Sequence, residues 1–215
     1  MHKCFLDIET CGIHMHKTVV IEVGYLVVDD NNEVIGTRQY TVRPSTIYTP
    51  FEWTMQAENL HGISQQEAFA HEYTQEQFLQ QISKDIKEDF EGKPNLYGFN
   101  VGYDYYFLKY MFDAYDIELP FGFRLKDINM MGDSLIGCDS SRRLAEKLEV
   151  DVDENKAHRA LYDCYLGLDV YKKLSELSPA ENFKKLEAIR DEYKNGEWDC
   201  KEELFEFMHK FFQSL

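Results

Sequence analysis

Apolar residues run together or alternate over three stretches near the N-terminus, KCFLDIE (3–9), TVVIEVGYLVVD (18–29) and EVIGTRQYTV (33–42). Their β-branched and aromatic content predicts three consecutive strands, with Asp29, Asp30, Asn31 and Asn32 turning the chain between the second and third. The period then changes. Thr74-x-x-Gln77 is a capping box, and Phe78, Leu79, Ile82, Ile86 and Phe90 recur at helical spacing before Gly92 stops the run. NLYGFN (95–100) predicts a short fourth strand, followed by a helix from about Asp104 to Tyr115 and a weaker fifth strand near Phe123 to Ile128. A short helix near Ser141 to Leu148 and a longer one from about Ala160 to Leu177 complete the pattern. Ser178-Pro179-x-Glu181 signals a further helix start, and Asp199-x-x-Glu202 another, whose Leu204, Phe205, Met208, Phe211 and Phe212 form an apolar stripe. The expected fold class is α/β, a mixed five-stranded sheet flanked by helices, with one domain over 1–177 and a C-terminal helical extension over 178–215 packed on or next to it.

Composition narrows the class. The 215 residues suffice for one sizeable core, and 44% hydrophobic residues with 2 Trp, 14 Tyr and 15 Phe exclude a natively unfolded chain. No apolar run reaches bilayer length and Asp7 interrupts the start before a signal-peptide core forms, so no membrane association and a cytoplasmic location are expected. Five scattered cysteines without a C-x-x-C pair indicate neither a disulfide framework nor a zinc knuckle. The net charge of −16 repels polyanions, which disfavours tight coating of long DNA but not an enzyme whose carboxylates hold cations and which grips a few nucleotides.

Three constellations carry chemistry. Asp7 and Glu9 end the first strand two residues apart, so both point to one face at the carboxyl edge of the sheet. Acid pairs are cheap in this chain, since Asp116-Ile117-Glu118 repeats the tripeptide and Asp151-x-Asp153 nearly does; a solvated strand end is the plain alternative. Asn100-x-x-Tyr103-Asp104 closes a strand and opens a helix, where an acid also serves as an N-cap. His158-Arg159-Ala160-Leu161-Tyr162-Asp163 sets a histidine at a loop-to-helix junction and an acid inside the helix, and a lone histidine is more often structural.

The joint pattern of four acids and one histidine specifies more than any part. Four gathered carboxylates raise one another's pKa, and two Mg²⁺ cancel their charge. A metal pair about 3.5–4 Å apart stabilises both attacking and leaving oxygens of an in-line phosphoryl displacement, with a nearby histidine as general base.

The segments FLDIET, NVGYDYYFL and HRALYDC resemble the three exonuclease motifs of the DEDDh, or DnaQ-like, 3′-to-5′ exonucleases of ribonuclease H-like fold, over roughly residues 3 to 175. The tyrosine branch of that superfamily wants Tyr where Arg159 stands, so the His branch is indicated. LHGIS (60–64) and IEVGYLVVD also resemble segments of the proofreading exonuclease subunit of bacterial replicative polymerase III. The resemblance implies that Asp7, Glu9 and Asp163 hold the metal of the attacking water, that Asp7 bridges to a second metal contacted by Asp104, and that His158 is the general base. It further implies that Thr10 meets the terminal 3′-hydroxyl, that Leu60, His61, Ile63 and Tyr103 wedge and stack the last bases, and that Asn100 lies in the substrate site. The cofactors implied are two Mg²⁺ or Mn²⁺, and the products 5′-mononucleotides.

The expected partner is a single-stranded nucleic acid 3′ end, DNA ahead of short RNA. A polymerase or a second copy of the chain is a further candidate partner for the C-terminal helices. Two readings compete: a non-catalytic binding subunit that keeps the fold, and an acidic nucleic-acid mimic, which explains −16 but not the placement of His158.

Overall fold

The computed structural model describes residues 2–44, 51–154 and 156–177. The chain divides at 171/172, and the fold set out here is that of the first unit, 1–171. The helices expected from Ser178 onward, with their partner surface, lie outside the described residues.

Three antiparallel strands form in sequence order, β1 (Lys3–Thr10), β2 (Val20–Val28) and β3 (Val34–Thr41). All nine residues of β2 are buried, as a strand covered on both faces requires, whereas β3 alternates at the sheet edge. Asp29 closes the β2–β3 turn by accepting from the backbone N–H groups of Asn31 and Glu33. Helices α1 (Met55–His61) and α2 (Gln65–Phe69) follow. Neither is expected from the sequence pattern, although Thr54 and Ser64 are N-caps whose hydroxyls accept from Ala57 and Glu67. Helix α3 (Gln75–Asp89) starts at the capping box of Thr74 and Gln77, as expected.

β4 (Leu96–Gly98) pairs in parallel with β1, and β5 (Lys126–Asp127) in parallel with β4, giving the order β3-β2-β1-β4-β5. The mixed five-stranded sheet expected from the sequence is present. Its last two strands are shorter than expected. Asn100 enters the left-handed region at φ 48°, so β4 stops at Gly98 and α4 (Val101–Ala114) begins three residues before Asp104. After β5 the chain turns directly into α5 (Ile128–Ile136), also unforeseen, where Asp127 caps the N-terminus. Short α6 (Ser141–Lys147) and long α7 (Ala160–Glu176) stand where the spacing placed them.

The strand pleat sorts β1 between two layers. Cys4, Leu6 and Ile8 join the main core with Phe78, Leu79 and Ile82 of α3 and Phe107, Leu108 and Met111 of α4. Phe5, Asp7 and Glu9 alternate to the opposite face, where the Phe5 ring meets Tyr171 of α7 edge-on, with centroids 5.5 Å apart. Among the described residues, no helix is long and apolar enough to cross a membrane.

Candidate active site

Asp7 and Glu9 arrive at one face of β1 just before a register shift between Glu9 and Thr10 ends regular pairing with β2. Helix α7 lies over that face because Gly24, opposite Asp7 in β2, has no side chain. A Cβ there would fall 2.6 Å from the Leu161 nitrogen and 2.7 Å from its Cα. The Cys164 thiol donates to the Gly24 carbonyl at 3.2 Å, fixing the approach. Asp163, in the first turn of α7, is thereby brought to the strand: Asp7, Glu9 and Asp163 each offer a carboxylate oxygen, all within 4.8 Å of one another.

Asp104 enters from the side of β4. That strand pairs with β1 only at Cys4 and Phe5, so it stops short of Ile8. The buried Ile8 N–H donates instead to Asp104 Oδ1 at 3.0 Å. The carboxylate thus ties α4 to the backbone between Asp7 and Glu9, a role that N-capping alone does not describe. His158 precedes α7 in the left-handed region at φ 63°, with its side chain exposed and its N–H donating to Asp163 Oδ2 at 3.1 Å. Non-glycine residues at positive φ are uncommon, and here Asn100 and His158 each sit just ahead of a helix that delivers a site acid.

Gathering these acids without a counter-charge drives their protonation. Burial first, then Asp104, Glu9, Asp163 and Glu22, hold Asp7 well above the usual carboxylate range. Burial and the charges of Asp163, Glu22 and Asp104 raise Glu9, against a downward pull from Arg159. Asp104 is raised by burial and by Asp127 and Asp163, although its own N–H and that of Ile8 oppose the shift. Asp163 is raised by burial, against the lowering influence of His158. Such a site takes up either protons or cations, and an all-carboxylate donor set suits hard divalent ions such as Mg²⁺ or Mn²⁺. By contrast Asp116, Glu118 and Asp151 are exposed, so the look-alike acid pairs are not assembled into a comparable group.

A family model described as Exonuclease (RNase T) matches residues 4–171, from the second residue of β1 to the end of the first unit. The chain belongs to the RNase T exonuclease family. Solved structures of the same fold include E. coli Exonuclease I in complex with a dT13 oligonucleotide (20% identity, TM-score 0.68, 90% of this chain and 45% of that one). The nuclease domain of 3′hExo, a DEDDh family member, bound to rAMP, is similar at 19% identity and TM-score 0.67, over 82% of this chain and 91% of that one. A zinc-bound form of the E. coli Exonuclease I–single-stranded DNA complex aligns at 19% identity and TM-score 0.66, over 90% of this chain and 44% of that one. The chain therefore spans less than half the length of these Exonuclease I chains. No curated protein matched the sequence.

Within this exonuclease domain the other expected residues separate by exposure. The Thr10 hydroxyl donates to the Gly12 carbonyl at 2.8 Å, and the Tyr103 hydroxyl sits 2.9 Å from Thr10 Oγ1 and 3.2 Å from the same carbonyl. Tyr103 thus binds α4 to the loop that leaves β1, its ring tilted against Phe107 at 4.5 Å. Asn100 is exposed, and its carbonyl accepts from the Tyr103 N–H at 2.9 Å. His61 and Ile63, expected to stack on bases, are both buried. His61 is 5% exposed and its Nδ1 accepts from the Ile63 N–H, while Ile63, 1% exposed, packs with Cys11, Val19, Ile21 and Ala68. Leu60, by contrast, is 56% exposed.

Glu22 and Arg159 form a contact beside the cluster that the motifs do not announce. Glu22 is fully buried beside the cluster, yet burial's upward push on its pKa is outweighed by the Arg159 guanidinium, the Ala160 N–H and Gln39, which hold it below the usual range. The usable signal is a single charged residue within the otherwise uncharged run VIEVGYLVV.

Proposed function

We propose that this protein is a metal-dependent 3′-to-5′ exonuclease that removes 5′-mononucleotides from single-stranded DNA ends, with short RNA as the second substrate. The observation that carries the reading is the convergence of Asp7, Glu9 and Asp163 within 4.8 Å, with the backbone N–H of His158 donating to Asp163. The family and the DEDDh member among its structural neighbours support the reaction class. Exonuclease I carrying dT13 supports a DNA strand, and the net charge of −16 favours short or frayed ends over long duplex.

Asp7, Glu9 and Asp163 would hold one divalent ion, and Asp7 with Asp104 a second. Bound Mg²⁺ or Mn²⁺ supplies the positive charge that offsets these carboxylates and the scissile phosphate, and lowers the pKa of the attacking water. His158, exposed and joined to Asp163 through its backbone N–H, would accept a proton from an attacking water as general base. Leu60, on the exposed side of α1, offers an apolar surface to the terminal base. Thr10 and the backbone beside it bound the site where a terminal 3′-hydroxyl would lie, which favours cleavage from an end over internal cutting.

A time course on 5′-labelled single-stranded DNA and RNA of matched sequence, with Mg²⁺, Mn²⁺ or EDTA, tests this beside Asp7→Ala. The expected result is a ladder shortening from the 3′ end, faster on DNA, abolished by EDTA and by the substitution. No ladder with either metal on either polymer would replace this reading with that of a binding subunit.

A further inference from the structure

We propose that Glu22, with Arg159, is a positioning device for the active site: its buried carboxylate anchors the loop-to-helix junction of α7, and so sets where His158 and Asp163 stand relative to Asp7 and Glu9. The inference rests on the exonuclease reading above and assigns the pair a role in turnover beyond holding the fold.

Glu22 lies directly opposite Glu9 in the β1–β2 register, so both side chains rise from the same sheet face. Like charges facing each other across a sheet are destabilising, and an apolar residue in a strand as buried as β2 would be the more stable choice. The carboxylate is instead saturated from two sides, by the start of α7 and by β3. Arg159 grips it with both ends of the guanidinium, Nε to Oε2 at 3.1 Å and Nη2 to Oε1 at 2.7 Å. The Ala160 N–H, the first of α7, donates to Oε2 at 3.1 Å, and Gln39 of β3 donates to Oε1 at 3.0 Å. Glu22 therefore does for α7 what an N-cap side chain does for other helices, but from a strand of the sheet.

The consequence for the site follows from chain connectivity. Arg159 and Ala160 are the two residues after His158, and Asp163 is one turn further on. With the Ala160 N–H held by Glu22 and the His158 N–H held by Asp163, the left-handed turn at His158 is bounded by a carboxylate on either side. Gly24, two residues along the same strand, brings the α7 backbone close. Glu22 then fixes the end of the helix and the direction in which the His158 loop leaves it. Pairing with Arg159 also offsets part of the extra negative charge beside Glu9, where Asp7, Glu9 and Asp163 converge.

The test compares Glu22→Gln, Arg159→Gln and the double variant with wild type on a labelled single strand, separating kcat from KM, with a melting curve for each. Positioning predicts a loss of about 10- to 100-fold in kcat for each single variant, the range seen when groups that orient ligating or catalytic side chains are removed. KM should change little. The double variant should lose no more than the worse single one, because both act through the same contact. Unchanged kcat, a loss confined to KM, or losses that multiply in the double variant would overturn the proposal. If Glu22→Gln does not fold, Arg159→Gln carries the test, since that side chain is 44% exposed. Arg159→Lys should then recover part of the kcat by restoring an ion pair, and no recovery overturns the proposal. An inactive wild type would instead refute the exonuclease reading, so the two failures are distinct.

Discussion

The carboxylate of Asp104 accepts the backbone N–H of Ile8 at 3.0 Å, so an acid on α4 is bound to the peptide between two acids of β1. Substitution separates the structural part of this contact from the charge that Asp104 carries. Asp104→Ala should leave a buried N–H unpaired and lower stability by about 1–3 kcal/mol. Asp104→Asn keeps an acceptor there and should melt near wild type, yet lose most of its nuclease activity because the charge is gone. Melting curves with single-strand cleavage rates decide; equal stability of the two variants would show that the bond to Ile8 contributes little.

Without a divalent ion, the site acids should make the protein less stable as pH rises. A carboxyl whose folded pKa lies above its unfolded value contributes stability that is fully present below the unfolded value and is lost as pH rises through the folded one. The shifts of Asp7, Glu9, Asp104 and Asp163 all have that sign, and Glu9 is pushed up from 4.5 to about 9. In EDTA the melting temperature should therefore fall progressively between about pH 5 and pH 9. Millimolar Mg²⁺ or Mn²⁺ should raise it most at the alkaline end, because the ion binds the ionised site. A melting temperature insensitive to metal across this range would argue against the carboxylates as a cation site.

Gly24→Ala should be costly although it adds a single methyl. The new Cβ would meet backbone atoms of Leu161 and Ala160 at 2.6–2.8 Å, which cannot rotate aside as a side chain would. Moving α7 outward to relieve the clash should cost about 1–3 kcal/mol and draw Asp163 from Asp7 and Glu9. Activity should fall more steeply than stability, read from cleavage rate against melting temperature. Retained activity would show that the cluster tolerates a displaced α7.

His158→Ala should lower kcat about 10²- to 10⁴-fold, as loss of a general base does. The Asp163 contact comes from the backbone of residue 158 and not from its ring, so metal binding should survive. Titration of Mn²⁺ into the variant measures this directly. Equal loss of metal binding would reassign His158 to a structural role.

Much of the molecule is legible in local pattern. Strands β1, β2 and β3 and helices α3 and α7 follow from alternation, helical spacing and caps, because each is long enough for its period or cap to show, and the seven-residue α6 also stands where the spacing put it. Helices α1, α2 and α5 escape notice: the first two are seven and five residues long, and α5 follows a two-residue strand whose neighbours supply its pairing. The N-terminus of α4 was misplaced because Asn100 takes a left-handed conformation that no periodicity announces.

The sequence by itself determined that Asp7 and Glu9 share one face of β1 and where along the chain Asp104, His158 and Asp163 stand relative to the helices, since residue type, spacing and strand alternation are local properties. Tertiary structure alone decided that Asp104 would hold the Ile8 N–H, that Gly24 would admit α7, and that Glu22 would seat Arg159 and Ala160 across 137 and 138 residues of chain. Such contacts depend on which faces meet once the sheet and helices pack, and a buried charge declares its partner only when water has been removed from around it.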